Sequence, residues 1–470
     1  MLRIYASLAW AAAAAFSAPA DWIWSARYVV TMDSSRRIVE DGAVAVRAGR
    51  ILAAGRRAEI DKSYQAAERL DCGDCLIAPG LVNTHAHAAM SLLRGIADDL
   101  RLQDWLEKFI FPAEAKAVSP DFVRWGTRLA AIEMALSGIT TYTDMYYFED
   151  VVAEATKEIG LRGVLGETII GFPAPDAKTP ADALRFTEGF LQRFRNDELI
   201  VPAVAPHALY TNSEETLKAC RALANRYQAP LLSHAAETRR EVDQVRSAHA
   251  VSPVAWLASL GMFNGRTLVA HAVWTDAADH AILKRFGVGV AHCPSSNSKL
   301  ASGVAPVTAM LKAGLAVGLG TDGPAGSNND LNLFEEMDLA AKLQKVFTGD
   351  PTALPAEKAF EMAPLWGARA LGLEKETGSV EAGKRAELIT VRLDAPHAVP
   401  LYNIYSQLVY ALKASDVSDV MVNGRLIVRR RRILNFDEAR AKAKAREYGA
   451  RLRAIPGVAP PAAAGADLRK

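Results

Sequence analysis

The sequence predicts an α/β fold: a (β/α)8 barrel of the TIM type, joined to a small β-sandwich built from both chain ends. Three observations carry this prediction. Eight short, apolar, β-rich runs alternate with longer helical patterns between residues 79 and 375. Strand-like text without such helices precedes residue 79 and returns after residue 376. Six of the nine histidines (His85, His87, His207, His234, His271 and His292) fall at the carboxyl ends of the runs, the face on which barrels of this kind build their sites.

Taken in chain order, residues 1–20, MLRIYASLAWAAAAAFSAPA, combine a basic Arg3, an apolar stretch and the small-residue pattern Ala18-Pro19-Ala20. This is the layout of a secretory signal peptide, too short and alanine-rich for a membrane span. Export to a periplasmic or extracellular space is expected after its removal, with a cytoplasmic protein as the alternative. Over residues 21–78, WIWSARYVVTM, GAVAVRAGRILAAG and CLIAPGLV read as strands of the sandwich. The pair Cys72 and Cys75 in CGDC reads as incidental beside a turn, because no second pair completes a zinc knuckle. Four cysteines in 470 residues make no disulfide framework.

The barrel is assigned to residues 79–375. Its runs are LIAPGLVNTH, GITTYTDM, RGVLGETII, LIVPAVAPH, APLLSHAAE, TLVAHAV, GVGVAHCP and LAVGLGTD. Stretches between them, such as FVRWGTRLAAIEMALSG and SEETLKACRALANRYQ, place apolar residues at helical spacing. Over residues 376–435, AELITVRL, VSDVMVNGRLIV and RRILNF cannot join a closed eight-stranded barrel, so they are paired with the N-terminal strands. Arg429 to Arg432 read as a solvated hairpin turn. Residues 436–470 read as a last helix followed by a loose tail. His249, His280 and His397 are expected at the surface, and Ser327 to Asp330 as loop capping before a helix.

The charge balance, 55 basic against 53 acidic residues, leaves a net +2 with no long basic block. Nucleic acid is therefore not an expected partner, nor is a membrane for the mature chain. A small-molecule substrate is, and self-association as a homo-oligomer stays open. The histidines say what chemistry to expect. Side chains two apart on a strand share a face, so His85 and His87 point into one cavity. His234 and Asp322, ending runs five and eight, can reach the same point. Three imidazoles and a carboxylate suit one divalent cation, zinc first and ferrous iron second, with a position left for water. Glu237, three residues past His234, is placed to carry a proton to a substrate nitrogen. His271 would orient the attacking water, and Asp322 would accept its proton. His292 is a further residue that can line the pocket.

The motifs PGLVNTHAHAAMSLLRGIADDL, PHALYTNS, SHAAET, AHCPSSNSKL and GLGTDGPAGSNNDLNLFEEM resemble the amidohydrolase superfamily. They look most like the 5′-methylthioadenosine/S-adenosylhomocysteine deaminases, relatives of the s-triazine chlorohydrolases. The resemblance runs over roughly residues 21–455. It implies ligands at His85, His87, His234 and Asp322, with Glu237 and His271 in catalysis. It also implies that Trp105 packs near a purine and that Glu114 and His207 bond ribose hydroxyls. Related barrels with two metals bridge them through a lysine on strand four; run four has none, which implies a single metal. The implied activity is metal-dependent hydrolytic deamination of an aminated purine nucleoside. The alternatives are hydrolysis of another heterocycle (guanine, a cytosine-like ring or an s-triazine, with dechlorination included) and a non-catalytic metal-binding barrel. One departure stands out. Where members that favour S-adenosylhomocysteine look to carry an arginine after strand three, this chain places Glu167, whose sign is wrong for a carboxylate clamp. Uncharged 5′ groups are therefore expected to be preferred.

Overall fold

The computed structural model describes residues 17–456 and 458. The expected leader lies outside the described residues as far as residue 16, and so does the tail from residue 459 onward. Ala18-Pro19-Ala20, read above as a cleavage pattern, opens the first strand.

Five strands lead: β1 (Ala18–Val30), β2 (Ile38–Arg47), β3 (Arg50–Arg56), β4 (Tyr64–Asp71) and β5 (Cys75–Pro79). The barrel strands follow: β6 (Leu81–Ala86), β7 (Ile139–Tyr146), β8 (Arg162–Ile169), β9 (Ile200–Pro206), β10 (Leu231–Ala235), β11 (Thr267–His271), β12 (Gly289–His292) and β13 (Val317–Leu319). The last four are β14 (Leu388–Arg392), β15 (Val417–Val422), β16 (Arg425–Arg429) and β17 (Arg432–Ile433).

The barrel strands pair in parallel and in sequence order. The seam between β6 and the residues after β13 is closed by few bonds. The Asp322 amide donates to the His85 carbonyl (2.9 Å), and the Thr84 hydroxyl donates to the Leu319 carbonyl (2.8 Å). Below the mouth, Val82, Val164, Ala203, Leu232, Leu268 and Ala291 fill the interior, as in packed barrels of this type. The covering helices begin where their sequences supply caps. The Ser119 hydroxyl accepts from the Phe122 amide before Pro120–Leu136, and the Ser213 hydroxyl accepts from Thr216 before Glu214–Tyr227.

The strands of both chain ends bond into one nine-stranded mixed sheet. β1 pairs antiparallel with β2 along one edge; on the other it pairs first with β4, then with β5. β5 pairs antiparallel with β14, which joins the two ends of the chain. Trp24, Val46, Ile77, Leu388 and Met421 are buried together on this sheet. The sandwich strand CLIAPGLV and the barrel run LIAPGLVNTH, read with residues in common, are separated: β5 belongs to the sheet and β6 to the barrel. Gly80 makes the step, and a Cβ there would overlap the Thr140 side chain. A buried ion pair, Arg162 Nε to Glu387 Oε1 at 2.7 Å, ties β8 to the residue before β14.

Three readings are corrected. His280 is buried, with Nε2 3.1 Å from the Thr275 hydroxyl; it packs on the inner side of the helix Ala277–Phe286. Cys72 and Cys75 are joined as a disulfide across the turn between β4 and β5. Arg431 is not a solvated turn residue: it is half-buried, and its Nη1 donates to the Ala414 and Val417 carbonyls at 2.8 Å. His249 and His397 are exposed as expected. No helix among the described residues is long and apolar enough to cross a membrane.

Candidate metal centre and active site

His85 and His87 leave the end of β6, His234 is the penultimate residue of β10, His271 ends β11 and Asp322 follows β13. All five are buried. Asn83 fixes the first pair by accepting from the Thr321 amide (3.0 Å), which locks the end of β6 to the approach of Asp322. The carboxylate of Asp322 lies 3.4 Å from His85 Nε2, 3.2 Å from His87 Nε2 and 4.0 Å from His271 Nε2. The rings of His85 and His234 are 4.8 Å apart. Gly320 permits this approach, since a Cβ there would stand 2.9 Å from the His85 Cβ. His271 (φ 72°) and Asp322 (φ 62°) adopt left-handed backbone, a conformation costly for such residues and concentrated at functional sites.

The outer ring nitrogens are spoken for. His87 Nδ1 donates to the Met145 carbonyl (2.6 Å), His234 Nδ1 to the His207 carbonyl (2.7 Å) and His271 Nδ1 to Asn297 Oδ1 (2.9 Å). Each imidazole thereby turns Nε2 toward the centre as a lone-pair donor. His85 Nε2 is buried with no hydrogen-bond partner. Donor atoms of His85, His87 and Asp322, and of His85, His234 and His271, lie within 4.8 Å of one another.

This donor set fits a divalent cation, and the electrostatics call for one. Burial lowers the imidazole of His85 to about 4 and that of His234 well below its ordinary value, so both are neutral. Burial opposes ionisation of Asp322, yet His85 and His87 hold it well below the carboxylate range. A buried anion needs a counter-charge. Burial lowers His87 too, but Asp322 outweighs it and raises that ring to about 9; a cation bound there would supply the counter-charge instead.

Glu237 lies beyond β10, its Oε2 3.9 Å from His271 Nε2. Its backbone is held by Glu241, whose carboxylate accepts from the Ala236 and Glu237 amides at 2.9 Å each. Burial raises the Glu237 carboxyl above its usual range. The cavity in front of these groups is narrow, about 40 Å³, room for a few water molecules. Trp105, Glu114 and His207 line it, as do Tyr147 and Tyr210. The Trp105 indole donates to the Ala325 carbonyl (2.8 Å). Glu114 is buried with Oε1 unpartnered, and burial raises it to about 7.

Two site readings change. Glu167 does not face the cavity. Its Oε2 accepts from the Glu149 amide (3.0 Å) outside the barrel, while the next residue, Thr168, lines the cavity. Neighbouring strand residues point to opposite faces, so the argument from the charge of Glu167 fails. His292 is buried but is not part of the cavity wall. Three residues escaped the sequence reading, all from the segment after β12. Ser296 donates to Asp322 Oδ2 (2.6 Å), Asn297 accepts from His271, and Ser302 donates to Glu237 Oε1 (3.4 Å). Their signal was the polar run in CPSSNSKLASG, directly after a histidine-tipped strand.

Fold and site together define a class: a closed (β/α)8 barrel with a candidate metal centre of imidazoles and one carboxylate at its C-terminal mouth. The amidohydrolase family pattern matches residues 76–427, so the chain belongs to the amidohydrolase family. It is 45% identical over 434 residues to a 5-methylthioadenosine/S-adenosylhomocysteine deaminase of Thermodesulfovibrio yellowstonii, covering 92% of this chain and 99% of the relative. An adenosine deaminase from Xanthomonas campestris with bound zinc superimposes with a TM-score of 0.91 at 38% identity, covering 93% of this chain and 100% of that one. An atrazine chlorohydrolase from Arthrobacter aurescens complexed with zinc gives 0.83 at 25% identity, covering 91% and 100%.

Proposed function

We propose that the protein is a hydrolytic deaminase of aminated purine nucleosides that works with one divalent cation, zinc. The supporting observation is two buried donor groups that share His85, one with His87 and Asp322 and one with His234 and His271, beside a cavity that Glu237 also lines. The names of the relatives supply the substrate class, and the zinc bound in two of them supports the choice of metal. The absence of lysine from β9 supports a single ion.

His85, His87, His234 and Asp322 would hold the cation. Bound there, it supplies Lewis acidity that brings water toward ionisation near neutral pH. Asp322 takes the water proton on Oδ2, the oxygen that faces His271. His271 Nε2, fixed by the bond from Nδ1 to Asn297, orients the attacking oxygen toward C6 of the ring. Glu237 delivers a proton to ring nitrogen N1, which makes C6 more electrophilic. As the C6–N bond breaks, the proton on Asp322 goes to the leaving amine, and the new hydroxyl returns one to Glu237. Water and the amine thus become ammonia and a ring carbonyl, an inosine analogue. Trp105 would stack on the purine, and Glu114 and His207 would bond the ribose hydroxyls.

The test is a release assay on the zinc-loaded protein over adenosine derivatives, other nucleobases and triazines. Ammonia from adenosine-type nucleosides is the expected result. Chloride from a chlorinated triazine, or ammonia only from a free base, would replace this reading. We further propose export, on the strength of the leader-like residues 1–20. N-terminal sequencing of the mature protein should find residues 1–20 gone, and an intact Met1 would overturn it.

A further inference from the structure

Trp274 stands three residues past His271, where the chain leaves β11, and it joins the two segments between which the Glu237 carboxyl lies. Its backbone amide donates to the carbonyl of Ala236 (2.9 Å), the residue before Glu237, beside a bond from the Ala272 amide to the Ala235 carbonyl (3.1 Å). Its indole Nε1 donates to the Ser302 carbonyl (2.7 Å). Ser302 closes the circuit, because its hydroxyl donates to Glu237 Oε1 (3.4 Å). Contacts thus run from the Glu237 carboxyl through Ser302 and Trp274 back to the peptide that carries Glu237.

The backbone around this circuit is unusual at three points. Ala236 (φ 52°) and Ala272 (φ 45°) are left-handed, a cost that surrounding contacts must hold in place. Gly303 (φ 128°) lies where a side chain is rarely tolerated, and a Cβ there would stand 3.0 Å from Val273 Cγ1 and 3.3 Å from Trp274 Cζ2. That glycine lets the Ser302 carbonyl come up to the indole. Ser302 is fixed from a second side by its amide, which donates to the Asn297 carbonyl (2.8 Å). The outer face of Trp274 is 36% exposed and lies under Arg239, whose guanidinium carbon is 5.3 Å from the ring centroid. Trp274 is not part of the cavity wall, so any effect it has on a substrate passes through its neighbours. We propose that Trp274 is a positioning residue for the proton transfer: its indole N–H holds Ser302, and Ser302 holds the Glu237 carboxyl toward the ring nitrogen. The inference rests on the deaminase reading above. A carboxyl tethered by one long hydrogen bond is easily displaced, and a misplacement of about 1 Å can cost about 100-fold in rate.

The experiment measures kcat and KM for adenosine by ammonia release in the zinc-loaded protein, with zinc content determined on each variant. Trp274→Phe keeps an aromatic ring beneath Arg239 and removes the indole N–H. Its kcat should fall about tenfold, with KM and zinc content near native. Ser302→Ala should do the same, and Ser302→Thr, which keeps a hydroxyl, should recover part of the loss. The deciding comparison is made in Glu237→Gln, where the proton to be positioned is gone. There Trp274→Phe should lower kcat no further, whereas a merely structural role would repeat its loss. Should Trp274→Phe fail to fold, Ser302→Ala carries the same two comparisons. Native kcat in either variant, or a full further loss on top of Glu237→Gln, would overturn the positioning role and leave deamination standing. No ammonia from the native protein would instead remove the reading beneath it.

Discussion

Glu237 is anchored through its backbone, not its carboxylate. Glu241 holds the turn, and among the described residues the only hydrogen bond to the Glu237 side chain is the long one from Ser302. A buried carboxylate with so few commitments is available for proton transfer. Glu237→Gln keeps the volume and removes the transferable proton. We expect kcat to fall by about 10²- to 10⁴-fold with the metal content unchanged, measured by ammonia release and by metal analysis of the purified variant. A variant turning over near the native rate would remove Glu237 from the mechanism. At this scale the histidines were legible because a strand end is a definite address in a barrel. Glu167 and His280 were not: one residue of strand parity decides whether a side chain faces the cavity or the helices, and a lone imidazole carries no mark of the packing that will cover it.

The segment Pro294–Ser302 is the element on which the site leans. It reaches Asp322 through Ser296, His271 through Asn297 and Glu237 through Ser302. The short helix Pro294–Lys299 and the turn behind it therefore contact groups from three other strands. Asn297 matters most, because its Oδ1 fixes which nitrogen of His271 carries the proton. Asn297→Ala leaves that N–H buried and unpaired, and kcat should drop about 10- to 100-fold while zinc content stays native. Asn297→Asp, which still accepts the bond, should recover part of the loss. An alanine variant with native kcat would make the contact merely structural. Helix starts were readable from Ser119 and Ser213 because a cap is local chemistry. The buttressing role of CPSSNSKL was not, because its meaning lies in partners that only the closed barrel brings near. The strand ends either side of Gly80, close to the expected boundary before residue 79, were not legible for the same reason: two buried strands of different sheets look alike in sequence.

Across the whole molecule, the pairing of β5 with β14 and the barrel seam are two places where distant chain segments meet. The first is secured by a ladder of five residue pairs and by the buried Arg162–Glu387 pair. The presence of strands at both ends made that union foreseeable; its continuity as one sheet depends on the long β1 changing partners along its length, which no local pattern announces. The seam is weaker. Between β6 and the segment after β13 the structure has the Ala86–Asp322 bridge and the bonds around it, not a full ladder. The candidate ligands straddle that seam, with His85 and His87 on one side and Asp322 on the other, while His234 reaches in from across the mouth. A cation held by all four cross-links the barrel where its hydrogen bonding is thinnest, and its binding energy then counts toward the folded state. At free zinc a thousandfold above Kd the stabilisation would be about 4 kcal/mol. Stripping the metal with a chelator should abolish ammonia release and lower Tm, and added zinc should restore both, as followed by calorimetry on the same sample. If chelation removed the metal and Tm did not move, the ion would not bridge the seam, and the ligand set drawn across β6, β10 and the end of β13 would have to be redrawn on one side of it.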